Sequence, residues 1–247
     1  MADVQQTKLG DLFQSSVFQI PRYQRGYAWS KKEVRDLLED IEYSYEERVS
    51  DEGNSFTHYF GTIVMLDRGT VNAETDDFDQ YDLIDGQQRM TTVAILMNCI
   101  NEELQGIDED KLGDEEEIGI LPSKLAGRNK DDFIRSYETD RIVLDDINDQ
   151  VFKSIVIHEQ DLDQIDTETV SQRRLVRAKR EIKSWLESKR EQHISDDSHI
   201  AYYDFLKEIQ KIVKGGLEIT QYTVEDETES GRLFEVINDR GKELTNL

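Results

Sequence analysis

The chain has 247 residues, enough for one large or two small domains, and 36% of them are hydrophobic, which supports a lean core. The net charge of −24 is spread along the sequence and indicates an acidic, solvated surface of the kind that suits a salt-rich cytoplasm. One cysteine excludes an intrachain disulfide, and no apolar run approaches the ~20 residues of a membrane span, so we expect a soluble cytoplasmic protein.

The N-terminal half predicts a strand, an amphipathic helix, a strand, an acidic loop, a strand and a second helix. These elements cover, in that order, residues 17–20, 31–48, 59–66, 67–80 and 81–84 and the stretch that follows Gly86. Ser30 and Glu33 form a capping box that opens the first helix. Cys99 falls on the second helix, where we expect it to pack in the core.

The C-terminal half predicts mostly helices after a Gly- and acid-rich connector over residues 105–128. Four helices, a strand and a further helix are predicted over residues 129–138, 147–158, 171–192, 199–214, 217–224 and 229–237. We therefore expect two domains, residues 1–110 and a mainly helical part over residues 111–247. Because the sequence stops directly after a turn, we expect it to be the N-terminal part of a longer protein.

The most informative motif is Asp85-Gly86-Gln87-Gln88-Arg89, between a predicted strand and a predicted helix. The first amides of a helix lack partners and the helix dipole is positive there, so this turn favours an anion. Arg89 offers paired hydrogen bonds to phosphate oxygens, and Asp85 offers an oxygen ligand for Mg²⁺. The two glutamines could orient a water or read a base. The alternative is a polar turn capped by its own side chains.

Two further polar segments that contain glycine lie far from this motif. In residues 20–29, arginines stand among aromatic side chains, which more often pack in a core than bind a ligand. Residues 234–245 contain Asn238 and Arg240, and alone this segment predicts only a helix C-cap. We expect the three segments to assemble one phosphate- or nucleotide-handling site.

The predicted helix over residues 171–192 carries the strongly basic stretch of the chain. The simpler interpretation is a solvated face paired with the abundant acids, and the alternative is contact with DNA phosphates. The candidate DNA-binding residues are Arg173, Arg174, Arg177 and Arg180.

Signatures of several other chemistries are missing from the sequence. It contains neither G-x-x-x-x-G-K-[ST] nor a G-x-G-x-x-G after a strand, which excludes a P-loop NTPase. The four histidines have no metal-ligand spacing on one helix face, so we expect no nuclease centre in these residues.

Four ordered segments together resemble a known family. They read I-P-x-Y-Q-R-x-Y-x-W, Y-F-G-T-I-V, I-D-G-Q-Q-R-x-T-T and F-x-x-x-N-x-R-G-x-x-L-T. From about Leu9 to Leu247 the chain resembles the N-terminal domain of GmrSD-type modification-dependent (type IV) restriction proteins. The resemblance implies an α+β fold, with a small ParB/sulfiredoxin-like mixed sheet and helices followed by a mainly helical part.

The resemblance also implies NTP binding and hydrolysis in a defence system against modified phage DNA. The domain would govern a C-terminal HNH-type nuclease domain, which these residues do not include. The catalytic residues implied at matching positions are Asp85, Gln87, Gln88 and Arg89, with Asp85 also a metal ligand. The nucleotide-binding residues implied are Tyr23, Gln24, Arg25, Gly86, Asn238 and Arg240.

The leading hypothesis is an NTP-hydrolysing regulatory and DNA-sensing domain, with an NTP as substrate, Mg²⁺ as cofactor and modified DNA as partner. The alternative is a non-enzymatic DNA-binding or protein-interaction module on a ParB-like scaffold, since fold does not fix function. A third hypothesis, a metal-dependent phosphodiesterase, is disfavoured by the lack of ligand histidines. The preferred NTP, the DNA modification and homo-oligomer formation stay open.

Overall fold

The computed structural model contains both strands and helices and describes residues 3–50, 57–72, 77–112, 118–194 and 199–229. The strands are β1 (Asp3–Lys8), β2 (Ser16–Gln19), β3 (His58–Asn72), β4 (Asp77–Asp85), β5 (Arg135–Ser136), β6 (Thr139–Asp140), β7 (Ile142–Val143) and β8 (Leu217–Val224). The helices are α1 (Leu9–Ser15), α2 (Lys31–Ser50), α3 (Gln87–Gln105), α4 (Pro122–Phe133), α5 (Asp149–Val156), α6 (Val170–His193) and α7 (Ile200–Lys211). A 3₁₀ turn (Glu109–Lys111) and a π-helical turn (Ile212–Gly216) complete the set.

Six strands form one mixed sheet in the order β1-β8-β3-β4-β2-β7, and β5 pairs with β6 in a small hairpin. Strand β2 runs parallel to both β4 and β7, whereas β3 runs antiparallel to β4 and parallel to β8. The carboxyl ends of β2 and β4 therefore meet at one edge of the sheet, beside the start of β3. Loops that leave parallel strands at such an edge commonly form binding sites.

Helix α3 lies at the centre of the molecule, because every residue from Met90 to Asn101 is buried. A helix that is buried all round belongs in the interior of a protein rather than on its surface. Helices α4, α5, α6 and α7 pack around it, and inward-facing side chains of the sheet join the same hydrophobic core. None of the helices in the described part of the chain combines the length and apolarity that crossing a membrane requires.

One ionic side chain is buried inside this core. The Lys179 ammonium of α6 donates to Asn98 Oδ1 (2.7 Å), to Glu102 Oε1 (2.5 Å) and to the Ile155 carbonyl. Burial of a charge is tolerated when it is paired and fully hydrogen-bonded. This network therefore ties α6 and α5 to the central helix.

The α+β class with a mixed sheet is confirmed, as are several predicted elements. Strand β8 and helices α2 and α6 lie where the sequence predicts them, and Cys99 packs in the core as expected. Burial raises the pKa of its thiol to about 12, which makes the thiol unreactive in the folded protein. The predicted likeness to ParB stays a prediction.

The acidic stretch over residues 67–80 is not the predicted loop. Strand β3 continues to Asn72 and β4 begins at Asp77, so most of the stretch extends their hairpin. The Phe78 side chain is buried there beneath the Arg141 guanidinium, 4.0 Å from the ring centroid. This packing and the cross-strand pairing outweigh the low strand propensity of Asp and Asn.

Two other regions also differ from prediction. Residues 3–15 form β1 and α1, which the sequence pattern did not reveal. Helix α4 begins at Pro122, inside the predicted connector, because proline suits the first turn of a helix. The predicted helix over residues 229–237 lies almost entirely outside the described residues.

The predicted division at residue 110 stays a prediction. Strands β7 and β8 come from the predicted second domain, yet they join the same sheet as β1 to β4. The main hydrophobic core also takes side chains from both halves. The sheet is thus completed only by residues on both sides of the predicted boundary.

We predict that Lys179→Met lowers the free energy of unfolding by about 3–5 kcal/mol, because it leaves buried acceptors without a donor. Lys183→Met is the matched control, since Lys183 binds the same Glu102 carboxylate (2.8 Å) from a half-exposed position. Its cost should be about 0–1 kcal/mol. Urea denaturation followed by circular dichroism measures both variants. Equal losses in the two variants would contradict a stabilising role for the buried network.

Candidate functional site

A pocket of about 490 Å³ lies at the sheet edge where β2 and β4 end. It is lined by Gln24, Arg25, Trp29, Asp85, Gly86, Gln87, Gln88 and Arg89. The two predicted segments, residues 20–29 and 85–89, therefore form one site. They meet because the strands that precede them are parallel neighbours in the sheet.

The start of α3 borders this pocket directly. Strand β4 ends at Asp85, and Gly86 turns the chain into the helix with φ of +90°, a conformation that glycine adopts without strain. No side chain in the described part of the chain caps α3, because the N-cap residue is Gly86. An uncapped helix start at the wall of a pocket favours a bound anion.

Glutamine side chains connect the two segments. Gln88 Oε1 accepts from the Ala28 amide (2.6 Å), and Gln88 Nε2 donates to the Gly26 carbonyl (3.5 Å). Gln24 Nε2 donates to the Ile84 carbonyl (3.1 Å) at the end of β4. Both polar ends of Gln88 are therefore used to hold the wall of the pocket.

Gln87 differs from Gln88 in having an acceptor to spare. Its Nε2 donates to Gln24 Oε1 (3.3 Å), whereas its Oε1 is buried and has no hydrogen-bond partner among the residues that the structure describes. A buried acceptor without a partner costs free energy until a donor arrives. Of the two glutamines, Gln87 is the one that can accept a hydrogen bond from a water or ligand in the pocket.

Arg89 is held in place by the backbone of β3. Its Nη1 donates to the Phe60 carbonyl (3.0 Å) and its Nη2 to the Thr62 carbonyl (2.8 Å). The guanidinium also lies 3.9 Å from the Asp85 carboxylate. A guanidinium has five N–H donors, so it retains donors for a ligand while its position is fixed.

Charge in the pocket comes from few groups. Arg25 is exposed and forms no ion pair with the part of the chain that the structure describes, whereas Arg22 pairs with Asp146. Asp85 supplies the carboxylate among the described lining residues. One carboxylate fits Mg²⁺, which is typically held by one or two carboxylates together with substrate phosphates. Within the described ranges, no cluster of three or more metal-ligating side chains occurs.

Some predicted site residues lie elsewhere. Tyr23 is largely exposed and does not line the pocket. Partial burial, and after it the carboxylates of Asp82 and Glu227, raise the pKa of its phenol. Asn238 and Arg240 lie outside the described residues, so their predicted role stays a prediction.

The candidate DNA-binding arginines lie on α6, whose N-terminal end reaches the pocket wall. Ser171 and Asn148 lie against Gly26, where a Cβ atom would be 2.7 Å from Ser171 Oγ. Arg180 pairs with Asp163 (2.5 Å), and Arg173 donates to the Glu168 carbonyl (3.2 Å).

Arg174 and Arg177 form no hydrogen bond or ion pair with the described residues. Arg177 is exposed and Arg174 is half-buried. They are the members of the basic stretch whose guanidinium groups remain available to a phosphate.

Sequence reasoning missed two contributors to the site. Trp29 lines the pocket and also packs against the hydrophobic core, although the sequence did not single it out among the residues predicted for the site. Gly61 belongs to one of the four family segments, and no role in the site was predicted for it. Its φ is +109°, and a Cβ atom there would lie 1.8 Å from Arg89 Nη1. A glycine inside a predicted strand was the available signal, since it often marks the close approach of another group.

We predict that Gly61→Ala displaces the Arg89 guanidinium and weakens binding of inorganic triphosphate about tenfold, because the added methyl group occupies the guanidinium's place. Gly69→Ala is the matched control, since Gly69 also has a positive φ (+87°) but has open space around it. Calorimetry with inorganic triphosphate measures the effect. Equal affinities for the two variants would show that the position of Arg89 does not matter for binding.

Comparison with known proteins gives one result for nearly the whole chain. Residues 9–247 match the family described as the N-terminal domain of the GmrSD restriction endonuclease. None of the curated proteins is similar enough in sequence to count as a match. The family match confirms the resemblance found in the four sequence segments. The chain belongs to the family of GmrSD restriction endonuclease N-terminal domains and so to the proteins of restriction and defence.

Proposed function

We propose that this chain is an NTP-binding and NTP-hydrolysing regulatory domain that responds to modified DNA. The observation that carries the proposal is the pocket at the β2 and β4 edge. It combines an uncapped helix start, two arginines, one carboxylate and a glutamine with a spare acceptor. These are the groups that phosphoryl transfer to water requires.

The triphosphate would bind between the two arginines. The first residues of α3, including Arg89, and Arg25 of the other segment all line the pocket. Arginine suits this role because its planar fork binds two phosphate oxygens at once. The surrounding surface of a chain with net charge −24 repels phosphates, so this pocket would attract a triphosphate through local groups alone.

Hydrolysis would need an oriented water. Gln87 Oε1 can accept a hydrogen bond from that water, and Asp85 can accept its proton as the oxygen attacks the γ-phosphorus. The bond to the β–γ bridging oxygen breaks, which gives a nucleoside diphosphate and inorganic phosphate. Mg²⁺ held by Asp85 would neutralise phosphate charge when bound.

Arg89 would contribute by being already in position. Because two backbone carbonyls fix its guanidinium, little reorganisation is needed when negative charge moves towards the leaving group. Gln88 and Gln24 would act as positioning residues, since their amides hold the pocket walls together.

DNA sensing and control of a nuclease domain complete the proposal. The N-terminal end of α6 lies against Gly26, next to Arg25 in the pocket wall, so a contact on this helix could alter the wall. A non-enzymatic DNA-binding module remains the second candidate, favoured by the available Arg174 and Arg177 side chains. The two candidates differ in whether the chain hydrolyses NTP. Only the first predicts that modified DNA alters the rate of hydrolysis.

We predict that Asp85→Asn lowers kcat for NTP hydrolysis about 10²- to 10³-fold, because the general base is lost. Asp79→Asn is the matched control, since Asp79 is exposed on the same strand and does not line the pocket. Phosphate release with each NTP and Mg²⁺, with and without modified DNA, measures both variants. If Asp85→Asn and Asp79→Asn release phosphate equally well, the catalytic assignment is wrong.

We predict that the double variant Arg174→Ala/Arg177→Ala weakens duplex DNA binding and lowers the salt dependence by about two phosphate contacts, a slope change of about 1.8. NTP hydrolysis without DNA should persist, because neither residue lines the pocket. Lys183→Ala is the control on the same helix, since Lys183 is paired with Glu102. Fluorescence anisotropy over a range of salt concentrations is the measurement, and an unchanged slope would place DNA elsewhere.

A further inference from the structure

A second groove adjoins the pocket on the other side of Trp29. Its volume is about 240 Å³, and it lies between α2 and the start of β3. It is lined by Trp29, Glu33, Asp36, Leu37, Asp40, His58, Tyr59, Phe60 and Arg89. Trp29 and Arg89 line both cavities, so the groove is a direct neighbour of the pocket proposed to hold phosphates.

The walls of the groove have a different chemistry from those of the pocket. Trp29, Leu37, Tyr59 and Phe60 offer aromatic and apolar surface, on which a planar ring can stack. The remaining polar groups include three carboxylates of α2, which repel phosphate but accept hydrogen bonds. A ligand part that fits here is flat and uncharged and presents N–H donors.

The three carboxylates are not equally available. Glu33 accepts from the Ser30 amide (2.6 Å) at the start of α2. Hydrogen bonds from the Ser30 hydroxyl and then from the backbone amide lower the pKa of its carboxyl. Asp40 lies 3.8 Å from His58 Nε2. Asp36 is exposed and has no hydrogen bond or ion pair with the described residues. Asp36 is therefore the acceptor that can turn to a ligand.

We propose that this groove holds the base of the nucleotide and selects guanine, with Asp36 as its specificity-determining residue. The inference rests on the proposed function, because the phosphates must lie in the adjoining pocket. Guanine presents two donors side by side, N1–H and the N2 amino group, which match the two oxygens of one carboxylate. The base would stack on Trp29.

The other bases fit this carboxylate less well. Adenine and cytosine each present an amino group beside a ring nitrogen that is itself an acceptor, so one carboxylate oxygen would face a lone pair. Uracil presents one N–H between two carbonyl oxygens. A site that leaves a buried or charged acceptor unpaired rejects the wrong ligand strongly. Inosine has N1–H but lacks the N2 amino group, so it should be intermediate.

The test measures dissociation constants of the chain for GTP, ITP, ATP and inorganic triphosphate by calorimetry. We expect affinity in the order GTP, ITP, ATP, with Asp36→Asn weakening GTP binding about tenfold and leaving inorganic triphosphate unchanged. Glu46→Gln is the matched control, since Glu46 is exposed on the same helix and lines neither cavity. It should change none of the four affinities.

The outcomes separate this inference from the function on which it rests. Equal binding of GTP, ITP and ATP, with inorganic triphosphate also bound, would overturn the guanine groove and leave the phosphate pocket standing. A loss of triphosphate binding in Asp36→Asn would also overturn it, because Asp36 would then act on the phosphates. Failure of all four ligands to bind would overturn both proposals.

Discussion

The burial of α3 is the constraint on which the site depends. Because this helix is enclosed on every side from Met90 to Asn101, its position and that of its first turn are set by the core. The Thr92 hydroxyl donates to the Gln88 carbonyl (2.7 Å) and bonds the buried Tyr27 phenol (2.8 Å). The core therefore holds the helix start and the aromatic segment in one arrangement, and burial of Tyr27 raises the pKa of its phenol.

Two neighbouring glutamines in this motif differ in what surrounds them. Both ends of the Gln88 side-chain amide form hydrogen bonds with backbone groups of the segment that follows β2. The Gln87 side-chain oxygen has no such partner among the described residues. Such a division is common in preorganised sites, where structural hydrogen bonds let one group remain unsatisfied. The hydrogen bonds of Gln88 and the packing of the core stabilise the shape of the pocket, so Gln87 need not contribute to that stability.

The sequence predicted the strand–turn–helix around Asp85 because an apolar run, a glycine and helical spacing all point to it. It also predicted that residues 20–29 would join the same site. It could not reveal that Arg89 bonds to carbonyls of β3, since backbone acceptors carry no sequence signal. The groove beside Trp29 was also missed, because it depends on how α2 lies against β3. The hairpin beyond Asp67 escaped prediction because pairing partners, rather than local propensity, stabilise it.

The order of strands in the sheet has a consequence for folding during synthesis on the ribosome. Strand β1 is made first, yet among the described strands it pairs with β8 alone, and β8 also flanks β3. Strand β1 therefore cannot pair with β8 until more than two hundred further residues have been synthesised. Contacts this distant in sequence form slowly and late. The sheet of a nascent chain would thus stay incomplete until β8 has been made.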